Sequence, residues 1–320
     1  MADAKRGLII DTDLGVDDAI ALLMALAHPQ VKILAITTTH GNIGVDHVNR
    51  NVRQVLEYSR RSEIPVFSGS AVPLFASTLT PSMLMGADGL GGASVELPAP
   101  LMSLQPTVAA VALVEQIHAA AKHGDFSLVM LGPLTNLALA LALDPELPRL
   151  VPHLVIMGGA VEARGNQTPV AEFNFYADPE AAQVVFRAGF PKLTLLPWET
   201  STKQLLSWEA YEQLTAIPGR AARLYRMVTA SMVDFLKQHF HLPGTPLPDP
   251  LAMACALDAQ IIRQASPAHC AVETAGSIGR GLLAVDWRGL STSAPNANIV
   301  TEVDFERFRS LLQASLEERR

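Results

Sequence analysis

The chain has 320 residues and a mass of 34.3 kDa, with 49% hydrophobic and only 17% charged residues, which describes a compact globular protein and excludes a disordered or fibrous one. Its net charge of -7 argues against a nucleic-acid surface, which gains affinity by neutralising phosphates with clustered Lys and Arg. Cys255 and Cys270 match no CxxC metal or redox spacing, and no run approaches the ~20 apolar residues of a membrane span. The start MADAKRG has no signal-peptide core, so a cytoplasmic location with no membrane partner is expected.

Gly7 to Ile10 predicts a first strand, followed by a helix from about Asp17 to Ala27, a strand Val31 to Thr38, a helix from about His47 to Arg60 and a strand at Val66. From Ser68 to roughly Pro106 the pattern breaks into a Pro/Gly/Ser-rich stretch containing GADGLGG. A connection that long is usually functional, so it is expected to border a site. Winding resumes with a helix Thr107 to His123, a strand Phe126 to Leu131, a helix Leu134 to Leu143, a strand Leu154 to Met157, a helix Pro179 to Ala188 and a strand Leu193 to Leu196. Lys203 to His241 has helical periodicity throughout, and Asp249 followed by Pro250 predicts a helix capped by Asp249. Strands near Val272, Leu283 and Ile299 precede a final helix from Phe305. Strands alternating with amphipathic helices give an α/β fold with a mostly parallel central sheet wound with helices. No linker-like composition shift occurs, so a single domain over 1–320 with a helical insertion at about 200–248 is expected.

In open α/β sheets ligands bind beyond the carboxyl ends of the strands. The strand GLII runs straight into Asp11, Asp13, Asp17 and Asp18, so several carboxylates converge at its tip. Like charges so close either raise a pKa or share a cation, and hard oxygen donors suit Ca²⁺ or Mg²⁺. Taken singly, each aspartate also reads as a helix cap or first-turn acid favoured by the helix dipole.

Asp11, Asp13, Gly15, Asp17, Asp18, Ala19, Ala21 and Leu22 reproduce a DxDxGxDDAxAL pattern that resembles the N-terminal fingerprint of the inosine-uridine nucleoside hydrolase family. The resemblance continues through His40-Gly41-Asn42, GPLTN from Gly132, MGGA from Met157, PVAEFNFYADPEAA from Pro169 and DPLAMA from Asp249. It implies a Rossmann-like sheet and Ca²⁺-dependent hydrolysis of the N-glycosidic bond of purine and/or pyrimidine ribonucleosides. Asp13, Asp18 and Asp249 would bind Ca²⁺ through carboxylates and Leu131 through its carbonyl. Asp17, Asn42, Asn166, Glu172 and Asn174 would hold the ribose and its 5'-hydroxymethyl group, beside Met157 and Phe173. Asp13 would be the general base, with Asn42 in the catalytic set, and a homodimer or homotetramer is implied.

Such a reaction passes through an oxocarbenium-like state, and the leaving nitrogen needs protonation or hydrogen bonding. Many members of that family carry a histidine immediately before the last metal-binding aspartate and another ahead of the glycine-rich loop. Here Pro248 and Met85 stand at those points. His241, with His239, is the nearest substitute acid, and Trp198 or Phe240 could stack on the base instead, which would favour purines. Two rival readings are a nucleoside- or ribose-binding relative that lost its acids, and a Mg²⁺-dependent phosphohydrolase using the DxD.

Overall fold

The computed structural model describes residues 5–75 and 85–317. Strand β1 (Arg6–Thr12), helix α1 (Val16–Ala27), β2 (Val31–Thr38), α2 (Val45–Tyr58) and β3 (Val66–Phe67) form the first winding, within two residues of the sequence expectation at most ends. The second runs through α3 (Ala109–Ala121), β4 (Phe126–Met130), α4 (Thr135–Leu143), α5 (Leu147–Leu150), β5 (Leu154–Met157), α6 (Phe173–Ala177), α7 (Pro179–Arg187) and β6 (Leu193–Leu196). Then follow α8 (Trp198–Lys203), β7 (Leu206–Ser207), α9 (Trp208–Thr215), α10 (Arg220–His239), β8 (Gly244–Thr245), α11 (Pro248–Leu257), β9 (Ile262–Ala268), β10 (Cys270–Val272), β11 (Leu283–Val285), β12 (Ala297–Val303) and α12 (Phe305–Leu316).

The main sheet has eight strands in the order β3-β2-β1-β4-β5-β6-β12-β9, all parallel except the antiparallel edge strand β9. Leu8 and Ile10 join a core with α1, α2, α10, α11 and α12, whereas Ile9 joins the opposite core with α3, α4 and α7. That period of two explains why the parallel strands read as continuous apolar runs: both faces are covered. Strand order reverses between β1 and β4, which opens a crevice at their carboxyl ends, where loops can meet a ligand.

Three expectations are corrected. The helical periodicity of Lys203 to His241 is not helix throughout, because Ser207, at the end of the short strand β7, caps α9 through a bond from the Ala210 amide, and Pro218-Gly219, with Gly219 at φ 122°, separates α9 from α10. Asp249 is not the cap of α11: Leu247 caps it, Pro248 takes the first position and Asp249 lies within the first turn. Strand β9 was not expected; it is a largely exposed edge strand with Pro267, so it shows little alternation. Of the Ser68 to Pro106 stretch, residues 76–84 lie outside the described residues, as do residues 1–4 of the N-terminus. No described helix is long and apolar enough to cross a membrane.

Candidate active site

Asp13 follows the end of β1, and Asp17 and Asp18 occupy the first turn of α1. Helix α11 packs beside α1 and brings Asp249 to the same place. Asp17, Asp18 and Asp249 each offer a carboxylate oxygen within 4.8 Å of the others, all buried. Asp18 is fixed on both oxygens: Oδ1 accepts from the Thr12 hydroxyl and Oδ2 from the Gly15 amide at 2.8 Å. Its capping role and its place in the cluster therefore coexist. Asp17 Oδ1 is buried with no hydrogen-bond partner.

Asp13 accepts the Asn42 amide on Oδ2 at 2.7 Å. A Cβ at Gly41 would lie 2.0 Å from that oxygen, so only glycine lets the loop pass the carboxylate. Burial raises every carboxyl group here. Asp17 is pushed up to about 7 by burial and then by the Asp18 charge. Burial followed by the neighbouring Asp18 holds Asp13 well above the carboxylate range, and burial followed by Asp17, Asp18 and Asp13 does the same for Asp249. Ionising all of them together is unfavourable unless positive charge joins them, and buried oxygens in this number are a hard-cation donor set. An orphaned oxygen on Asp17 fits the same reading.

Asp11, counted with these carboxylates on sequence, is separate. Its Oδ2 accepts from Thr37 Oγ1 at 2.5 Å and Asn136 Nδ2 at 2.7 Å, and burial takes it up to about 7. It ties β1 to β2 and α4 and does not line the cavity.

Above the carboxylates lies a cavity of about 660 Å³. Asp13, Asp17, Asn42, Leu131, Met157, Asn166, Glu172, Phe173, Asn174 and Asp249 all line it, so the structure gathers these sequence candidates in one place. Asp18 sits behind them. The tight trio contains Asp17 in addition to Asp18 and Asp249, and Asp13 is their charged neighbour. The Leu131 carbonyl accepts Asn174 Nδ2 at 2.8 Å, a bond that leaves it a second lone pair.

Glu172 caps α6, accepting the Asn174 amide at 2.9 Å on Oε1 and the Gly159 amide at 2.8 Å on Oε2. Burial still pushes it up to about 7. Asn166 Oδ1 accepts the Phe173 amide at 2.8 Å, so its Nδ2 is left to donate elsewhere.

Most of the remaining wall is apolar, with Trp198 and Leu205 from α8 and its exit, Met232, Phe235 and Leu236 from α10, then Phe240 and Leu242; Gln167, Thr202 and Thr245 are its neutral polar members. Met85 and Pro248, at the two points where the resembled family often carries histidines, also line the cavity. His241 does not line it; it is exposed at φ 50°, while its neighbours Phe240 and Leu242 do. His239 is exposed as well, its ring stacked on Phe235 at 4.3 Å.

Glu199, which sequence reasoning passed over, clips a cavity loop. Its oxygens accept the amides of Val161 at 2.9 Å, Glu162 at 2.8 Å and Arg164 at 3.3 Å, holding the segment that carries Asn166 against α8. Its only sequence signal was an acid in the turn after strand Leu193 to Leu196.

Comparison with known proteins agrees with this geometry. The model of the family described as inosine-uridine preferring nucleoside hydrolase matches residues 8–310. Pyrimidine-specific ribonucleoside hydrolase RihA of Shewanella sp. (strain MR-7) is 36% identical over 317 residues, 98% of this chain and 96% of the relative. RihA of Salmonella arizonae is 35% identical, with 97% of each covered. Among solved structures, an inosine-guanosine nucleoside hydrolase superposes with TM-score 0.90 at 28% identity, covering 99% of this chain and 100% of the other. A purine-preferring ribonucleoside hydrolase from Gardnerella vaginalis gives 0.87 at 27%, covering 97% and 98%. With its motifs in order, its sheet in the expected topology and its acidic cavity at the strand reversal, this chain belongs to the inosine-uridine preferring nucleoside hydrolase family.

Proposed function

We propose that this enzyme hydrolyses the N-glycosidic bond of ribonucleosides in a Ca²⁺-dependent reaction, with pyrimidine ribonucleosides preferred. The observation that carries the reading is one cavity lined both by a group of buried carboxylates and by apolar side chains from α8, α10 and the segment after α10, which suits a polar sugar joined to a flat base. The pyrimidine preference rests on relatives above 30% identity, among them the two described above, that are named pyrimidine-specific; it replaces the purine preference that a stacking-dominated site suggested.

Asp17, Asp18 and Asp249, with Asp13 and the Leu131 carbonyl, would hold the ion. When bound there, a divalent cation supplies positive charge that acidifies water and grips neighbouring sugar hydroxyls. Asp13 has one oxygen fixed by Asn42 and takes the proton of the attacking water on the other. Asn166 donates to the sugar through Nδ2, while Asn174, whose Nδ2 serves Leu131, accepts through Oδ1. Glu172 uses three acceptor positions on backbone amides and keeps one for a hydroxyl, and Asn42, Met157 and Phe173 complete the sugar's surroundings. Holding the sugar in one orientation supplies the entropic part of the rate. A homodimer or homotetramer is the proposed assembly, supported by the apolar Leu139, Leu143 and Val184 exposed on the adjoining helices α4 and α7.

The test is release of reducing sugar from uridine, cytidine, inosine, adenosine and guanosine, with and without a calcium chelator. Uridine and cytidine are expected to react fastest and chelation to stop the reaction. Nucleoside binding without release of free base would replace the enzyme with the binding-protein reading.

A further inference from the structure

We infer that the base leaves this enzyme as an anion, with no side-chain acid to protonate it, so that the enzyme selects nucleosides whose bases are stable as anions. The inference rests on the hydrolase reading above and concerns the apolar wall of the same cavity. The titratable side chains lining that cavity are Asp13, Asp17, Glu172 and Asp249, which lie close enough to act on one another's charge and are the groups assigned above to the ion and the sugar. The apolar wall contributes no histidine, lysine, arginine, tyrosine or cysteine among the described residues. Residues 76–84, ASTLTPSML, contain none of these types either.

Histidines 239 and 241 are close in sequence to the apolar wall, but both are exposed and neither lines the cavity. Two hydroxyls on the wall are already spent: Thr202 donates to the Glu199 carbonyl at 3.0 Å and Thr245 to the Pro246 carbonyl at 3.1 Å. What the wall retains are neutral donors, the Gln167 carboxamide and the Trp198 indole N–H. Neutral donors stabilise developing negative charge without transferring a proton.

The step balances without a further reactant. The C1'–N bond breaks and its electron pair goes to the base nitrogen. The water oxygen bonds to C1', its proton passes to Asp13, and the base anion is protonated by solvent after it departs. Negative charge then builds fully on the leaving nitrogen, so the rate follows the acidity of the departing base. An acid in the site would flatten that dependence, because a proton in flight cancels the charge.

The experiment is a series of single-turnover rates on the calcium-loaded enzyme with 5-fluorouridine, uridine and 5-methyluridine, which isolates bond breaking from product release. The 5-fluoro compound is expected to react at least about tenfold faster than the 5-methyl compound. The uridine rate should rise with pH and then stay level to about pH 8, below the ionisation of the uracil ring itself, with no descending limb in that range. Equal rates across the series, or a bell-shaped profile, would overturn the inference while leaving the hydrolase reading intact. No ribose from any of the three would sink both.

Discussion

Asn174 donates Nδ2 to the Leu131 carbonyl at 2.8 Å, joining α6 to the end of β4 across the floor of the cavity. One side chain thereby orients a carbonyl of the proposed ion site and, in the proposed complex, would present its own oxygen to the sugar. Groups that orient metal ligands typically cost 10–100-fold in affinity or activity when removed. Asn174→Ala is expected to lose about that much in kcat/KM and to need more calcium for half-maximal rate. A calcium titration of activity checks both, and unchanged half-saturation would show that the bond does not serve the ion.

Asp13→Ala and Asp249→Ala should each lower kcat by about 10³-fold or more, since one removes the proposed base and the other a charge of the ion site. His241→Ala should slow the reaction far less, because that side chain does not line the cavity. Steady-state kinetics on uridine compares the three. Full activity in either aspartate variant contradicts the assignment.

Removing the ion should lower stability, and more so at high pH. Burial, and then the Asp18 charge, push Asp17 up to about 7 in the folded chain from the ordinary aspartate value of 3.8. Its protonated form is favoured in the fold, so the ion-free protein keeps this contribution at low pH and loses it as pH rises from about 4 through about 7. Calcium at a hundred times its dissociation constant adds about 2.7 kcal/mol. Thermal melts with chelator and with calcium should therefore differ more at pH 8 than at pH 5.

His153 lies in the core below β5, with Nε2 3.0 Å from Thr194 Oγ1, and burial lowers its pKa to about 4. The unfolded chain binds this proton more readily, so the stability it confers is complete above about 6.5 and falls as pH drops toward 4. The loss amounts to about 3 kcal/mol over that window. His153→Gln should remove this slope, read from denaturant melts at pH 7 and pH 4.5. Parallel slopes in the two proteins would refute the assignment.

Glu199→Ala frees the amides of Val161, Glu162 and Arg164 and loosens the loop that carries Asn166. KM for uridine is expected to rise about tenfold with a smaller change in kcat, as for lost positioning of a bound substrate. A selective fall in kcat would point to direct chemistry instead.

Sequence alone determined the winding order and the cluster of aspartates at the tip of the first strand, because apolar periodicity and a short fingerprint are local properties; the wider set of site residues came from the family resemblance, and most of that set lines one cavity. Sequence alone marked no boundary between α9 and α10, because the helical periodicity of Lys203 to His241 persists on both sides of Ser207 and of the Pro218-Gly219 break. Only the tertiary structure separated Asp11 from its neighbours, since its partners Thr37 and Asn136 lie 26 and 125 residues away. Only it brought Asp17 into the trio with Asp249, bound Asn174 to Leu131 and kept His241 outside the cavity. Where a side chain points is fixed by what packs against it, and those neighbours come from distant parts of the chain.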